Sequence, residues 1–311
     1  MMRAFGLPSL GRSTLTVGTA GPHVQVEIAQ QFPDKPAGFF AALCPTNAGV
    51  PALQAMLRDD SVAWKVGRFD WRALFLAIRD VIVASGDTTA EELAKEIVAD
   101  VGIDPDADLL AHTTDDVLLE LRIDEIERVE DANWVLSVGL RDAAAFGKGL
   151  ATLLEHSKPM LTRAATTKVG DVEMHRYGLM FGYDLWLTIA NGRLLVAGGR
   201  DSEATLTAFL EKAADKEHAM KTPASDAFRE LQKQLPPGTN GLARGDVDHF
   251  VAPGALWAGL YAMYDNPFGN AGEVTTEQRE LVRQLLRDNN LAIVRSATGY
   301  ADRTWRWRLY W

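Results

Sequence analysis

Four times in this chain a run of alternating apolar residues closes on Gly-x-x-Asp and is followed by residues spaced for a helix. The four sites run from Gly67 to Asp70, Gly139 to Asp142, Gly198 to Asp201 and Gly245 to Asp248. No other pattern constrains the fold as much. A strand has period two and a helix period 3.6, so each site marks a change of backbone geometry. Glycine ends the strand by allowing a positive φ or a close backbone approach. Aspartate accepts hydrogen bonds from the free N–H groups of the first helical turn, a cap worth about 1 kcal/mol. Its charge also suits the helix dipole. The glycines are 72, 59 and 47 residues apart. A solenoid keeps a fixed period, so this is one construction unit reused with insertions. A fifth copy, Gly299 to Asp302, falls between two strand patterns and reads as a turn. Such reuse argues against catalysis by these aspartates.

The elements between the sites follow the same periodicities. Residues 13 to 28 read as a hairpin broken at Gly21-Pro22, and a Pro/Gly-punctuated helical stretch follows to about Leu57. Ser61 to Phe69 is a strand, and Asp70 opens a helix through Leu74, Ile78 and Ile82. Thr88 with Glu91, or Thr89 with Glu92, makes a capping box for a second helix. Val117 to Leu121 and Trp134 to Leu140 alternate as strands, and a helix then turns Phe146, Leu150, Leu153 and Leu154 inward. Thr167 to Tyr177 is extended and bent at Gly170-Asp171. Leu185 to Ala190, Asn191-Gly192 and Arg193 to Ala197 form a hairpin, since Asn-Gly supplies the two positive φ values of a type I′ turn. Helices follow on Leu206, Phe209 and Leu210, and on Phe228, Leu231 and Leu235. Gly241 to Val247 is a strand, and 253 to 264 and the segment capped by Thr275 are helical. Two strands, Leu291 to Ala297 and Arg303 to Trp311, close the chain. Clustered strands with short turns favour antiparallel pairing. The expected fold class is α+β: largely antiparallel sheet, helices mainly on one face, built from recurrent strand–helix units of unequal length.

Charge narrows the partners. Residues 87 to 131 carry sixteen acids against three bases, whereas the whole chain sums to −10. That field repels phosphate, so no nucleic acid is expected. The acidic run reads as a solvated face. The longest uncharged apolar stretch, Val251 to Tyr264, falls short of the roughly 20 residues of a membrane span and reads as a buried helix. Met1 to Pro8 lacks the apolar core of a signal peptide. Cys44, the single cysteine, allows no internal disulfide or thiolate metal cluster, and without a basic neighbour it reads as a buried, inert thiol.

Chemistry-bearing motifs are sparse. No two of the six histidines, among them His175 in Val172-Glu173-Met174-His175, have the i, i+4 spacing of a helical metal site. Nucleophile elbows and phosphate loops do not occur, and no cofactor is expected. Asp104, Asp106 and Asp108 come nearest to a metal motif, but Leu109 stands where a calcium loop needs Gly. They read better as a helix cap. Arg244-Gly245-Asp246 spells an adhesion tripeptide but sits at a strand-to-helix junction. The last strand places Trp305, Trp307, Leu309 and Trp311 on one face and Arg306, Arg308 and Tyr310 on the other. Trp305, Trp307, Arg306 and Arg308 are the candidate ligand or partner face, set against a simpler expectation: Trp toward the core, Arg toward solvent.

The stretch from Val117 to Lys216 resembles a family of uncharacterised bacterial proteins known only as a domain of unknown function. The features that carry it are Trp134 to Asp142, the helix and meander after it, Asn191 to Gly199, and a further helix. Phe69-Asp70 with its helix, and Gly102-Ile103-Asp104 before Asp108-Leu109-Leu110, are similar to the same family, so the likeness spans about residues 59–255. It implies a repeat-built α+β fold and carries no catalytic residues. Members are often longer and exported, which implies that this chain is a fragment or short form of a larger one. Four segments are expected, packed as one or two continuous domains. Residues 1–58 are an N-terminal hairpin and helical remnant of a preceding unit. Residues 59–132 hold the first strand–helix unit with the acidic segment, 133–236 the Asn-Gly meander unit, and 237–311 the unit ending in the Trp-rich strand. With no convergent catalytic set, the chain reads as a non-enzymatic binding or scaffold module for a protein or an apolar small molecule. The alternatives are a carrier of an apolar ligand in a sheet–helix cavity and a hydrolase using scattered Asp and His.

Overall fold

The computed structural model describes residues 6–20, 23–47, 49–51, 53, 56–57, 61–86, 88–122, 132–157, 161–179, 184–214, 235, 238–246, 280–281, 284, 286–289 and 293–311. The expected helix at Phe228 to Leu235 apart from Leu235 itself, the one at 253–264, most of the one opened by Thr275, and the capping site at Asp248 lie outside these residues.

Among the described residues, twelve strands form one antiparallel sheet. They are β1 (Ser13–Ala20), β2 (His23–Gln31), β3 (Ala63–Arg68), β4 (Thr113–Arg122), β5 (Asn133–Leu140), β6 (Leu161–Val169), β7 (Val172–Leu179), β8 (Asp184–Ala190), β9 (Arg193–Gly198), β10 (Thr239–Asp246), β11 (Ile293–Ala301) and β12 (Thr304–Tyr310). Their order across the sheet is β1-β2-β12-β11-β10-β3-β4-β5-β9-β8-β7-β6. All four sequence segments therefore contribute to one sheet: β2 pairs with β12, β10 with β3, and β4 with β5. The helices are α1 (Phe39–Leu43), α2 (Trp71–Ser85), α3 (Ala90–Val101), α4 (Pro105–Asp108), α5 (Ala143–His156) and α6 (Ser202–Ala214). None of the described helices is long and apolar enough to cross a membrane. The helical stretch expected up to Leu57 contracts to the single short α1 among the described residues, because Pro45 and Pro51 cannot continue a helix.

Two of the Gly-x-x-Asp sites work as side-chain caps. The Ala73 N–H donates to the Asp70 carboxylate at 2.8 Å, and the Ala145 N–H to Asp142 at 2.9 Å. Asp201 offers its backbone carbonyl to the Thr205 N–H at 2.9 Å as α6 begins. Close approach, not positive φ, explains two of the glycines. A Cβ on Gly67 would lie 2.9 Å from the Cα of Gly241 on the neighbouring strand, and one on Gly198 would lie 2.4 Å from the Trp134 ring. Thr89 with Glu92, not Thr88 with Glu91, forms the capping box of α3. The Asn191-Gly192 turn has φ of 52° and 69°, as a type I′ turn requires. The fifth Gly-x-x-Asp copy ends in the β11–β12 turn, where Asp302 and Arg303 take φ of 50° and 58°.

The main core lies between α6 and one face of β4, β5, β8 and β9. Leu206, Phe209 and Leu210 of α6 pack with Leu118, Val135, Trp186, Ala190, Leu195 and Ala197, all buried. The alternate residues of β8 (Leu185, Leu187, Ile189) turn to the other face and are only half-buried. There a Cβ on Gly147 of α5 would lie 3.4 Å from Ile189. α5 and α6 therefore address opposite faces, where helices mainly on one face were expected. The cause is visible in β8, which is apolar on both faces and so has two faces to cover.

Candidate functional site

A groove of about 540 Å³ runs between α5 and the open face of β7 and β8. Its apolar wall comes from Leu150, Ala151 and Leu154 of α5, facing Leu187 and Ile189 of β8. The helix supplies that wall because 150, 151 and 154 share one helical face. The polar rim comes from one face of the β6–β7 hairpin. In β7 the alternation Glu173, His175, Tyr177 points three side chains into the groove. Pairing of Thr166 with His175, and of Arg163 with Tyr177, brings β6 side chains alongside.

These rim groups are mutually bonded. The Arg163 guanidinium donates to Thr166 Oγ1 at 2.8 Å and lies 2.6 Å from His175 Nδ1. A guanidinium has no acceptor, so Nδ1 must accept and the neutral ring carries its proton on Nε2. Glu173 is 3.6 Å from Arg163 and 4.0 Å from His175. Burial lowers the imidazole pKa, the Arg163 charge lowers it further, and Glu173 opposes them. The ring is thus held neutral and offers a ligand one N–H donor. Asp171 and Glu155 stand at the mouth. Asp171 and Glu173 against the single guanidinium of Arg163 leave the groove acidic.

A second recess, of about 550 Å³, lies at the end of the sheet where β3 hands over to α2. Most of its charges are already paired. Arg68 bridges Asp115 and Asp116 at 2.8 Å each, and Arg72 pairs with Asp106 at 2.6 Å. Beneath it Arg193, buried at the start of β9, donates to Ser137 Oγ at 2.5 Å and to the carbonyls of Ser137 and Asp116. Burial lowers the Arg193 pKa and the Asp116 charge opposes it. A satisfied buried cation of this kind fixes register and binds nothing further.

The residues singled out from sequence fall in different places. His175 lies in the groove. Asp104 accepts from the N–H groups of Asp106 and Ala107, Asp108 accepts from the N–H of Asp104, and Asp106 holds Arg72. The three carboxylates face backbone and guanidinium, not one another, and no group of three metal-ligating side chains occurs among the described residues. Trp305 and Trp307 are half-buried opposite Gln30 and Ile28, and Arg308 pairs with Glu27. Trp toward the core and Arg toward solvent was the expectation; the Trp and Arg residues of this strand are instead all half-buried. The buried residue is Tyr310, on the arginine face, packed with Leu242 and Ala297. The tripeptide Arg244-Gly245-Asp246 lies inside β10, an interior strand, with Arg244 and Asp246 3.0 Å apart. Cys44 is buried and its pKa is pushed up to about 12 by that burial, so it is no nucleophile.

Sequence reasoning missed Arg163, Glu173 and Tyr177 as site residues. The signal was present in β7, where acid, imidazole and phenol alternate on one face. It carried no weight without the hairpin register and the position of α5. No family model, no curated protein and no solved structure matches this chain.

Proposed function

We propose that the chain is a non-enzymatic binding module and that its ligand site is the groove between α5 and β7–β8. One observation carries this: it is here that an apolar wall and convergent polar groups around a histidine meet. The ligand class follows from the lining. The wall formed by Leu150, Leu154, Leu187 and Ile189 suits an aliphatic or aryl body. The surplus of Asp171 and Glu173 over Arg163 suits a cationic head, so the ligand is a small amphiphile with an ammonium group. This merges the binding-module and apolar-carrier readings. Hydrolysis is disfavoured, because the lining holds no Ser or Cys beside His175 and the ring's Nδ1 is occupied by Arg163. We also read the strand-to-helix handovers at Asp70, Asp142 and Asp201 as one building unit used repeatedly, in keeping with the family that the chain resembles.

Thermal shift with octylamine and octanoate tests the ligand class. Octylamine raises the melting temperature and octanoate does not. Leu154→Arg, which fills the groove with a cation, abolishes the octylamine shift. An equal response to both probes, or to neither, rejects this assignment.

A further inference from the structure

The two edges of the twelve-stranded sheet are built differently. Edge strands expose unpaired N–H and C=O groups, and proteins that avoid edge pairing guard them with charge, bulges or proline. β6 is guarded: it carries Arg163 and Lys168, and its pairing with β7 shifts register between Arg163 and Ala165. Within Ser13–Ala20, β1 has no such device. Its sequence Ser-Thr-Leu-Thr-Val-Gly-Thr-Ala holds no charge and no proline, and it pairs with β2 without a break over all eight residues. Leu15 and Val17 are 69% and 67% exposed, and Thr16 on the opposite face is exposed as well.

We infer that β1 is a self-pairing edge, which joins two copies of this chain antiparallel across a two-fold axis. The backbone is set for it. The Gln31 N–H donates to the Arg12 carbonyl at 2.9 Å. Pair alternation then turns the backbone groups of the even-numbered β1 residues toward β2 and those of Ser13, Leu15, Val17 and Thr19 outward. With the axis at Thr16, Leu15 of one copy meets Val17 of the other in both directions, and the outward backbone groups bond. The same arrangement continues each face of the sheet across the join. The uncharged strand creates no repulsion with its own copy, and Arg12 falls at opposite ends of the pair. Because β6 is guarded, head-to-tail pairing of β1 with β6 is blocked. Assembly therefore closes at two copies and does not run on as a filament. An eight-residue edge buries well under the roughly 1,600 Å² of a standard interface, so the dimer is of the weak, reversible class.

Sedimentation equilibrium across a concentration series is the test. The wild-type chain shows a reversible monomer–dimer equilibrium. Thr16→Lys and Thr16→Glu each place like charges face to face on the axis and give monomer, with unchanged circular dichroism because Thr16 is exposed. An equimolar mixture of the two variants restores the dimer as a heterodimer. Lys168→Ala on the β6 edge leaves the equilibrium unchanged. A wild-type monomer at every concentration, open-ended assembly, a dimer indifferent to either Thr16 variant, or a mixture that stays monomeric each overturns the proposal.

Discussion

Two regions of the same sheet are stabilised in different ways. Around β4, β5, β8 and β9, α6 closes a dry core in which Leu206 and Phe209 have no exposed surface. Around β10, β11 and β12 the buried apolar cluster is Leu242, Ala297 and Tyr310. Further out, on β1 and β2, Leu15, Val17 and Val24 stand exposed. The backbone ladder is continuous across both regions, so hydrogen bonding does not separate them. Burial does. Apolar area removed from water contributes about 25 cal/mol per Å², and the outer strands remove little. The comparison teaches that a strand's place in the ladder does not fix its stability. The layer packed on it does, and the outer hairpin is held mainly by pairing.

Substitution in the two regions is the strongest way to break that contrast. Phe209→Ala empties a closed site beneath α6 and is expected to cost about 3–5 kcal/mol in urea denaturation. Leu15→Ala removes a side chain already in water and is expected to stay within about 0.5 kcal/mol. Similar costs for the two would mean that the outer hairpin is packed after all. The caps come next. Asp70→Ala and Asp142→Ala each leave the N–H that they bond without its side-chain acceptor and are expected to lose about 1 kcal/mol. A much larger loss at Asp142 would show that α5 is tied to the core more tightly than its position over the groove suggests.

The smallest effect concerns His175. Its folded pKa is lowered from an ordinary value near 6.5, first by burial and then by Arg163. As pH falls below 6.5 the unfolded chain takes up the proton before the folded one does, so stability drops across the window down to the folded pKa. Above 6.5 neither state is protonated and the contribution is fully present. His175→Gln should flatten this part of the profile, measured as a urea midpoint that changes less than the wild type's between about pH 7 and about pH 5. An unchanged slope would mean that the imidazole is not set apart from solvent in the groove.

Much of the local structure was legible in the chain. Asn191-Gly192 announced its hairpin, since few other pairs take positive φ twice. Asp70 and Asp142 announced their helices, because a cap acts within three residues of itself. The Asp104, Asp106 and Asp108 cluster was legible as a cap for the same reason. The Asp302-Arg303 turn was legible only as a break between strands, because Arg gives no hint of a left-handed conformation.

What could not be read concerned contacts between residues far apart in sequence. The groove needs α5 laid over β7–β8, and periodicity says that a helix has an apolar face without saying which sheet face receives it. Arg193 looks in sequence like a solvent-facing residue after a turn, yet it is buried because Ser137 and the carbonyl of Asp116 lie beneath it. Tyr310, on the arginine face of β12, is buried for a similar reason: Leu242 and Ala297 lie on that side of the sheet. The sequence by itself determined the Asn-Gly hairpin and the aspartates at 70 and 142 that cap helices, since those choices are settled by φ and by hydrogen bonds a few residues long. Only the tertiary structure decided the strand order, the face each helix covers and the gathering of Arg163, Glu173 and His175. Those depend on which distant surfaces exclude water together, and burial has no address in the local sequence.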